Sequence, residues 1–225
     1  INVTNEEAKA KIVESGISED QVTVRKAEPS TPVGSLFVYE GITYKVLTAV
    51  ANGVNGTVQL GDGVNGITAS GVVTIPTAVK NGENTYDVVS VGSGALKNSD
   101  VTELRLPDSV KTLQDNAIYE ASKLTTFEIP AGVESIGVNA IAGCAKLRSI
   151  TYKEGSSLKK LGNGALSDNT VLETIALPNT LEDLGTYAMF YNYALREVTF
   201  QEGSKWTTLP DGTFMRDVSL KKVNL

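Results

Sequence analysis

The chain has 225 residues, 41% hydrophobic and 20% charged, a composition typical of a globular protein rather than a disordered one. Its net charge of −6 argues against nucleic acid as a partner, because phosphate binding needs clustered lysine and arginine. It has no histidine and one cysteine, Cys144, which excludes histidine-dependent hydrolase chemistry, most zinc sites and an internal disulfide. No apolar run in the sequence is long enough to span a membrane.

Residues 1–36 are predicted to form a helix and strand segment that ends in a linker. Residues 4–7 (Thr-Asn-Glu-Glu) have the capping-box pattern, and a short helix is expected to run from there to Gly16. Residues 21–25 are a candidate strand, and the Pro- and Ser-containing run 28–35 is a candidate linker. The chain begins without Met or a secretory signal pattern, so we expect a processed or truncated chain whose targeting signal lies outside it.

Residues 37–100 are predicted to form a β-rich N-terminal cap with an irregular first repeat, as the exposed end of a stacked core requires. A hairpin is expected over residues 37–47 with its turn at Glu40-Gly41, and a second one around Asn81-Gly82. Further candidate strands are 57–60, 72–75 and 85–91.

A stretch rich in glycine and asparagine, residues 52–71, favours a loop within this cap. Residues 61–66 (Gly-Asp-Gly-Val-Asn-Gly) distantly resemble a calcium-binding loop. They lack the spacing and the final glutamate of an EF-hand, so a plain loop is the preferred interpretation and no cofactor is expected.

From residue 101 to the end, apolar residues return in phase every 23 to 25 residues. Each unit starts with an apolar residue and has others three and five positions later. The unit starts are Val101, Leu124, Leu147, Leu172, Leu195 and Leu220. A fixed period of this size predicts a solenoid whose successive coils stack, because a single unit cannot bury its own apolar face.

Each unit contains three predicted parts. Alternation of apolar and polar residues at its start, as in Leu124–Ile129 of one unit, predicts a short strand, which Pro130 ends. A second apolar pair follows, with a glycine such as Gly137 after it. The pair Ala140-Ile141 and its equivalents then predict one or two helical turns, because this part has helical composition.

These units resemble the leucine-rich repeats of the bacterial BspA-like surface proteins. The resemblance is carried by LTTFEIPAGVESIGVNAIAGCAKL and LETIALPNTLEDLGTYAMFYNYAL, and it covers residues 71–225. An asparagine ladder like that of common leucine-rich repeats is expected to be absent, because Ser109, Gly132 and Thr180 occupy the offset where it would lie. The resemblance implies an α/β fold, a leucine-rich-repeat solenoid of parallel short strands and helical turns, with repeats over 101–225.

The same resemblance implies a bacterial protein at the cell surface or secreted, which binds host proteins, matrix, other cells or glycans. Two sets of residues are candidate binding residues. The first is the polar column between the inward residues of the predicted strands, which includes Arg105, Glu128 and Thr151. The second is the aromatic group Tyr187, Tyr191 and Tyr193, since tyrosine combines apolar area with a hydroxyl.

A non-enzymatic module that adheres to a host or cell-surface protein as a monomer is the preferred interpretation. Glycan binding and a passive spacer remain as alternatives. An enzyme is disfavoured, because the carboxylates are scattered at repeat spacing without a catalytic motif. Cys144 and Trp206 are interpreted as buried core residues.

Overall fold

The computed structural model describes residues 2–3, 6–24 and 30–225. Its N-terminal segment contains β1 (Asn2–Val3), α1 (Glu6–Glu14), a 3-10 helix (Glu19–Gln21) and β2 (Thr23–Val24), and β1 pairs with β2 in parallel. The predicted short helix is confirmed, and Gly16 follows it with a φ of 95°. Thr4 and Asn5 of the capping box, Arg25 of the predicted strand and residues 28–29 of the linker lie outside the described residues.

Two hairpins shape the next part of the chain, as predicted. Its strands are β3 (Leu36–Tyr39), β4 (Ile42–Thr48), β5 (Gly56–Leu60), β6 (Ser70–Thr74), β7 (Ala78–Asn81) and β8 (Asn84–Val91). Glu40 and Gly41 have positive φ in the β3–β4 turn, and Gly82 has positive φ in the β7–β8 turn. The ring of Phe37 packs on Tyr44 and Tyr86, which are fully buried.

The repeats form two ladders of short parallel strands, so the fold is rich in strands. The remaining strands are β9 (Asp100–Arg105), β10 (Thr112–Leu113), β11 (Thr126–Ile129), β12 (Ser135–Ile136), β13 (Ser149–Tyr152), β14 (Lys160–Leu161), β15 (Thr174–Leu177), β16 (Asp183–Leu184), β17 (Glu197–Phe200) and β18 (Lys222–Asn224). In the first ladder β6, β9, β11 and β13 pair in order, and β15, β17 and β18 continue it as a separate sheet. In the second ladder β8, β10, β12, β14 and β16 pair in order.

Apolar side chains from every coil meet between the ladders, as the period predicts. The unit starts from Val101 to Leu195 are at most 1% exposed, whereas Leu220, which follows the last coil (residues 195–219), is only partly buried. The strand registers equal the repeat length; Thr126 lies opposite Ser149, for example. Stacking therefore buries the apolar face of each coil against its neighbours.

The third side of each coil is a series of turns, and the prediction of helical turns there is wrong. In residues 115–120, Asn116 and Glu120 have left-handed φ values of 56° and 55°, which a right-handed helix cannot include. The N–H groups of Asn116, Ile118 and Glu120 donate instead to carbonyls of the next coil, at 2.7–2.9 Å. Alternate backbone groups thus bond between coils, which leaves the fold helix-poor.

A ladder of buried hydrogen bonds to asparagine and aspartate side chains runs through the later coils, at an offset other than that of Ser109, Gly132 and Thr180. The Cys144 N–H donates to Asn169 Oδ1 (3.0 Å), the Asn169 N–H to Asn192 Oδ1 (2.8 Å), and the Asn192 N–H to Asp217 Oδ1 (2.7 Å). Asn169 and Asn192 are fully buried. The ladder lies at the end of the turn segment, three residues before the next unit start.

Candidate functional site

The aromatic side chains predicted as a candidate contact form a continuous ridge on the turn side of the fourth coil. We call Tyr187, Phe190, Tyr191 and Tyr193 the aromatic ridge. Neighbouring ring centroids are 5.6, 4.1 and 5.3 Å apart in chain order, and each pair meets edge to face at 77–79°. Tyr187 and Tyr193 are 46% and 44% exposed, so the ridge presents ring surface to solvent.

The backbone under this ridge is unusual, because each coil places two residues in the left-handed region. The first left-handed column contains Gly94, Asn116, Asn139, Gly164, Tyr187 and Gly212. The second column contains Asn98, Glu120, Gly143, Asp168, Tyr191 and Arg216. Glycine and asparagine dominate the first column because they tolerate this conformation best. The fourth coil alone among these six has a tyrosine in either column.

Bulky residues at positive φ carry a backbone strain of about 1–3 kcal/mol each. Tyr187 and Tyr191 adopt φ values of 56° and 62°, and Tyr187 is 46% exposed. Gly212 of the next coil leaves room for the Tyr187 ring: a Cβ there would lie 2.3 Å from Tyr187 Cε1. Two strained tyrosines and a glycine that accommodates one of them mark this coil as different from its neighbours.

Apolar side chains of the last coil extend the ridge. The Tyr191 N–H donates to the Met215 carbonyl at 3.1 Å, which brings Met215, 49% exposed, beside the ridge. Val218, 76% exposed, occupies in that coil the position that Tyr193 has in the fourth coil. Tyr119 lies on the same side three coils earlier, where the Lys97 Nζ is 5.3 Å from its ring centroid. On the turn side of the repeats, Tyr187, Tyr193, Met215 and Val218 thus place most of the exposed apolar surface in the last two coils.

The structure brings the other candidate residues together on a different side of the coils. Arg105, Glu128 and Thr151 lie on the neighbouring strands β9, β11 and β13, with Glu128 directly opposite Thr151. The Arg105 guanidinium is held by Glu103 on its own strand, at 2.6–2.7 Å. This column is a polar face without aromatic residues, which is a weaker binding anchor than the ridge.

The ionisable groups that could suggest other chemistry have structural explanations. Burial raises the pKa of the Cys144 thiol to about 12, and its Sγ lies 3.3 Å from the Ile118 carbonyl. The Asp62 carboxylate accepts bonds from the Asn65 side chain and from the N–H groups of Val64 and Asn65. These bonds, that of the Asn65 side chain foremost, lower the pKa of Asp62. Among the described residues no group of three potential metal ligands occurs.

Sequence reasoning missed both left-handed columns and the position of Trp206. The recurrence of glycine and asparagine at the offset of the first column was the available signal, whereas the second column has mixed residues. The prediction that Trp206 is a core residue is only partly right, since it packs on the core but is partly buried and lines a surface groove. It stands at the offset where Val133, Leu158 and Leu181 are at most 3% exposed.

Comparison with known proteins identifies the repeats. Residues 89–224 match the BspA type leucine rich repeat region in six copies. The chain belongs to this family. No curated protein is significantly similar to it in sequence.

Solved structures of bacterial leucine-rich-repeat proteins share the fold. The pneumococcal vaccine antigen PcpA is 26% identical with a TM-score of 0.60, over 78% of this chain and 52% of that one. The T. pallidum leucine-rich-repeat protein TpLRR is 20% identical with a TM-score of 0.65, over 84% of this chain and 82% of that one. This chain thus spans about half the length of the PcpA chain. In the part of the chain that the structure describes, no helix is long and apolar enough to cross a membrane.

Proposed function

We propose that this chain is a non-enzymatic binding module of a bacterial surface or secreted protein, and that it adheres to a host or cell-surface protein through the aromatic ridge. In this proposal residues 1–36 form an N-terminal segment, residues 37–100 a β-rich cap and residues 101–225 the repeats, and the module acts as a monomer. Membership of the BspA type family and the likeness to PcpA, a vaccine antigen, support a surface role.

The observation that carries the proposal is the pair of strained tyrosines. Tyr187 and Tyr191 occupy positions that their neighbours fill with glycine, asparagine or a charged residue. A tyrosine there strains the backbone, and 46% of Tyr187 stays exposed to a partner. Exposed tyrosines with Met215 beside them are the side chains that dominate protein interfaces.

The test compares the parent chain with the double variant Tyr187→Asn/Tyr191→Asn. Beads coated with each protein are incubated with epithelial cells and with immobilised fibronectin, laminin and collagen. We expect the variant to lose at least tenfold in bound beads while its unfolding free energy changes by less than about 1 kcal/mol, because relief of strain offsets the lost ring contacts.

The matched control is Tyr119→Asn, which removes a tyrosine from the same side three coils away and leaves the ridge intact. This control should bind like the parent. Equal binding by the parent and the double variant would eliminate the ridge as the contact. Absence of binding by the parent to every target would favour a passive spacer.

A further inference from the structure

The second ladder stops at β16 for a reason that lies in the sequence. In three earlier coils the N–H groups of Gly137, Gly162 and Gly185 each donate to a carbonyl of the preceding coil at 2.8 Å. Pro210 occupies this offset in the last coil and has no N–H to donate. Thr208 and Leu209, which precede Pro210 as β16 precedes Gly185, accordingly form no strand beside β16. The last coil is thus separated from β16 on this side.

The separation leaves a groove of about 580 Å³ beside the indole of Trp206. The indole Nε1 donates to the Leu181 carbonyl at 2.9 Å, which fixes the plane of the ring. The ring centroid lies 6.2 Å from that of Phe200, so the indole also packs on the core. Thr207 and Thr208 line the groove on one side, and Thr180 on the other. The groove thus combines an indole ring of fixed orientation with several hydroxyl groups.

A second hollow of about 360 Å³ adjoins the groove, since Thr180 and Glu182 line both. We call the two together the Trp206 trough. Its second part is lined by Glu134, Lys159 and the hydroxyls of two serines from the loop of the third coil. Two glutamates and two lysines line the whole trough, so their formal charges cancel. The trough crosses several coils and is polar apart from its aromatic end.

We propose that the Trp206 trough binds a neutral oligosaccharide in extended form. A pyranose ring has an apolar face that stacks on an indole, and its hydroxyls bond with threonine, serine and carboxylate groups like those present here. Neighbouring coils are about 4.8 Å apart, which is close to the length of one sugar unit in an extended glycan. Successive sugars would therefore meet equivalent positions on successive coils.

The charge and the lining of the trough distinguish this ligand from others. A polyanionic glycan needs an excess of lysine or arginine, whereas carboxylates and lysines are equal in number here. A peptide ligand needs apolar pockets for its side chains. The apolar residues that line the trough are Trp206 and Leu181, and Leu181 is buried. The proposal is independent of the aromatic ridge, because the trough uses none of its residues.

The experiment uses Trp206 itself as the probe, since it is the single tryptophan of the chain. The purified chain is titrated with neutral hexasaccharides of β-1,4-glucan, β-1,4-xylan, β-1,4-mannan and α-1,4-glucan, to about 10 mM, tenfold above a millimolar Kd. We expect at least one of them to shift or quench the tryptophan emission in a saturable way, with matching heat in calorimetry. No saturable change and no heat with any of the four would overturn the proposal.

Variants then locate the site. Trp206→Leu introduces leucine, which the equivalent positions Leu158 and Leu181 already have, so the fold is retained. The affinity of this variant for the saccharide, measured by calorimetry, should fall at least tenfold. Thr207→Val/Thr208→Val keeps the indole and should weaken binding severalfold. The ridge variant Tyr187→Asn/Tyr191→Asn should bind the saccharide like the parent. Unchanged affinity in Trp206→Leu, or competition for the emission change by unrelated extended peptides, would refute the assignment.

Discussion

Replacement of Asp217 by asparagine should stabilise the protein above neutral pH. Asp217 ends the side-chain ladder, in line with Asn169 and Asn192. The Asn192 Nδ2 donates to the carbonyls of Leu166 and Met189, at 3.1 and 2.6 Å, which a carboxylate cannot do. Asp217 Oδ2 is buried and has no hydrogen-bond partner among the described residues. Asparagine at this position would supply the missing donor.

Burial raises the pKa of Asp217 from 3.8 to about 7, against the opposing effect of the bond from the Asn192 N–H. Because the folded-state pKa is the higher one, the stability contributed by this carboxyl is complete below pH 3.8 and is lost as the pH rises through 7. At ~1.36 kcal/mol per pKa unit the difference corresponds to about 4 kcal/mol. Solvent relaxation around the end of the ladder reduces this energy difference. We therefore expect Asp217→Asn to raise the free energy of unfolding by about 2–4 kcal/mol at pH 8.5.

The assay is urea and thermal unfolding of both proteins from pH 4 to pH 8.5. The two should be similar near pH 4, and their melting temperatures should separate by about 5–10 °C at pH 8.5. Asn192→Asp is the converse control, because it introduces a second buried carboxylate and should steepen the loss of stability with pH. Parallel pH profiles for the parent and Asp217→Asn would show that Asp217 titrates normally in the folded protein and would refute this reasoning.

Three further predictions concern a close contact between coils, the aromatic ridge and the single thiol. Gly162→Ala should lower the free energy of unfolding, measured in urea, by about 1–3 kcal/mol, because the new Cβ would lie 2.7 Å from the backbone of Gly137. A similar decrease in the exposed control Glu202→Ala would contradict the close approach of the two glycines. Gly212→Ala should reduce bead binding by displacing the Tyr187 ring, and normal binding would show that the ring position is unimportant. The Cys144 thiol should react with Ellman's reagent only on unfolding, because it is buried and its pKa is about 12; rapid reaction in the native protein would contradict its burial.

Much of the fold was predictable because every coil buries the same kind of apolar face against its neighbours. The apolar residues at three fixed offsets predicted the first-ladder strands and the buried unit starts, and both hairpins of residues 37–100 followed from their turn residues. The helical turns were not predicted correctly, because alanine-rich composition favours a helix locally while left-handed residues such as Asn116 turn the N–H groups toward the next coil. Hydrogen bonds between coils prevailed over local propensity.

The candidate site, too, was predictable from the sequence only in part. The sequence brought Tyr187, Tyr191 and Tyr193 together, because they lie within seven positions of one another. Their backbone strain, the room that Gly212 leaves, and the groove that Pro210 opens beside Trp206 depend on residues 23 or more positions apart in contact. The sequence by itself determined the period, the buried unit starts from Val101 to Leu195 and the family, because these are properties of one coil repeated. Only the tertiary structure decided which exposed side chains meet and which polar atoms lack partners, because these are properties of the contacts between coils.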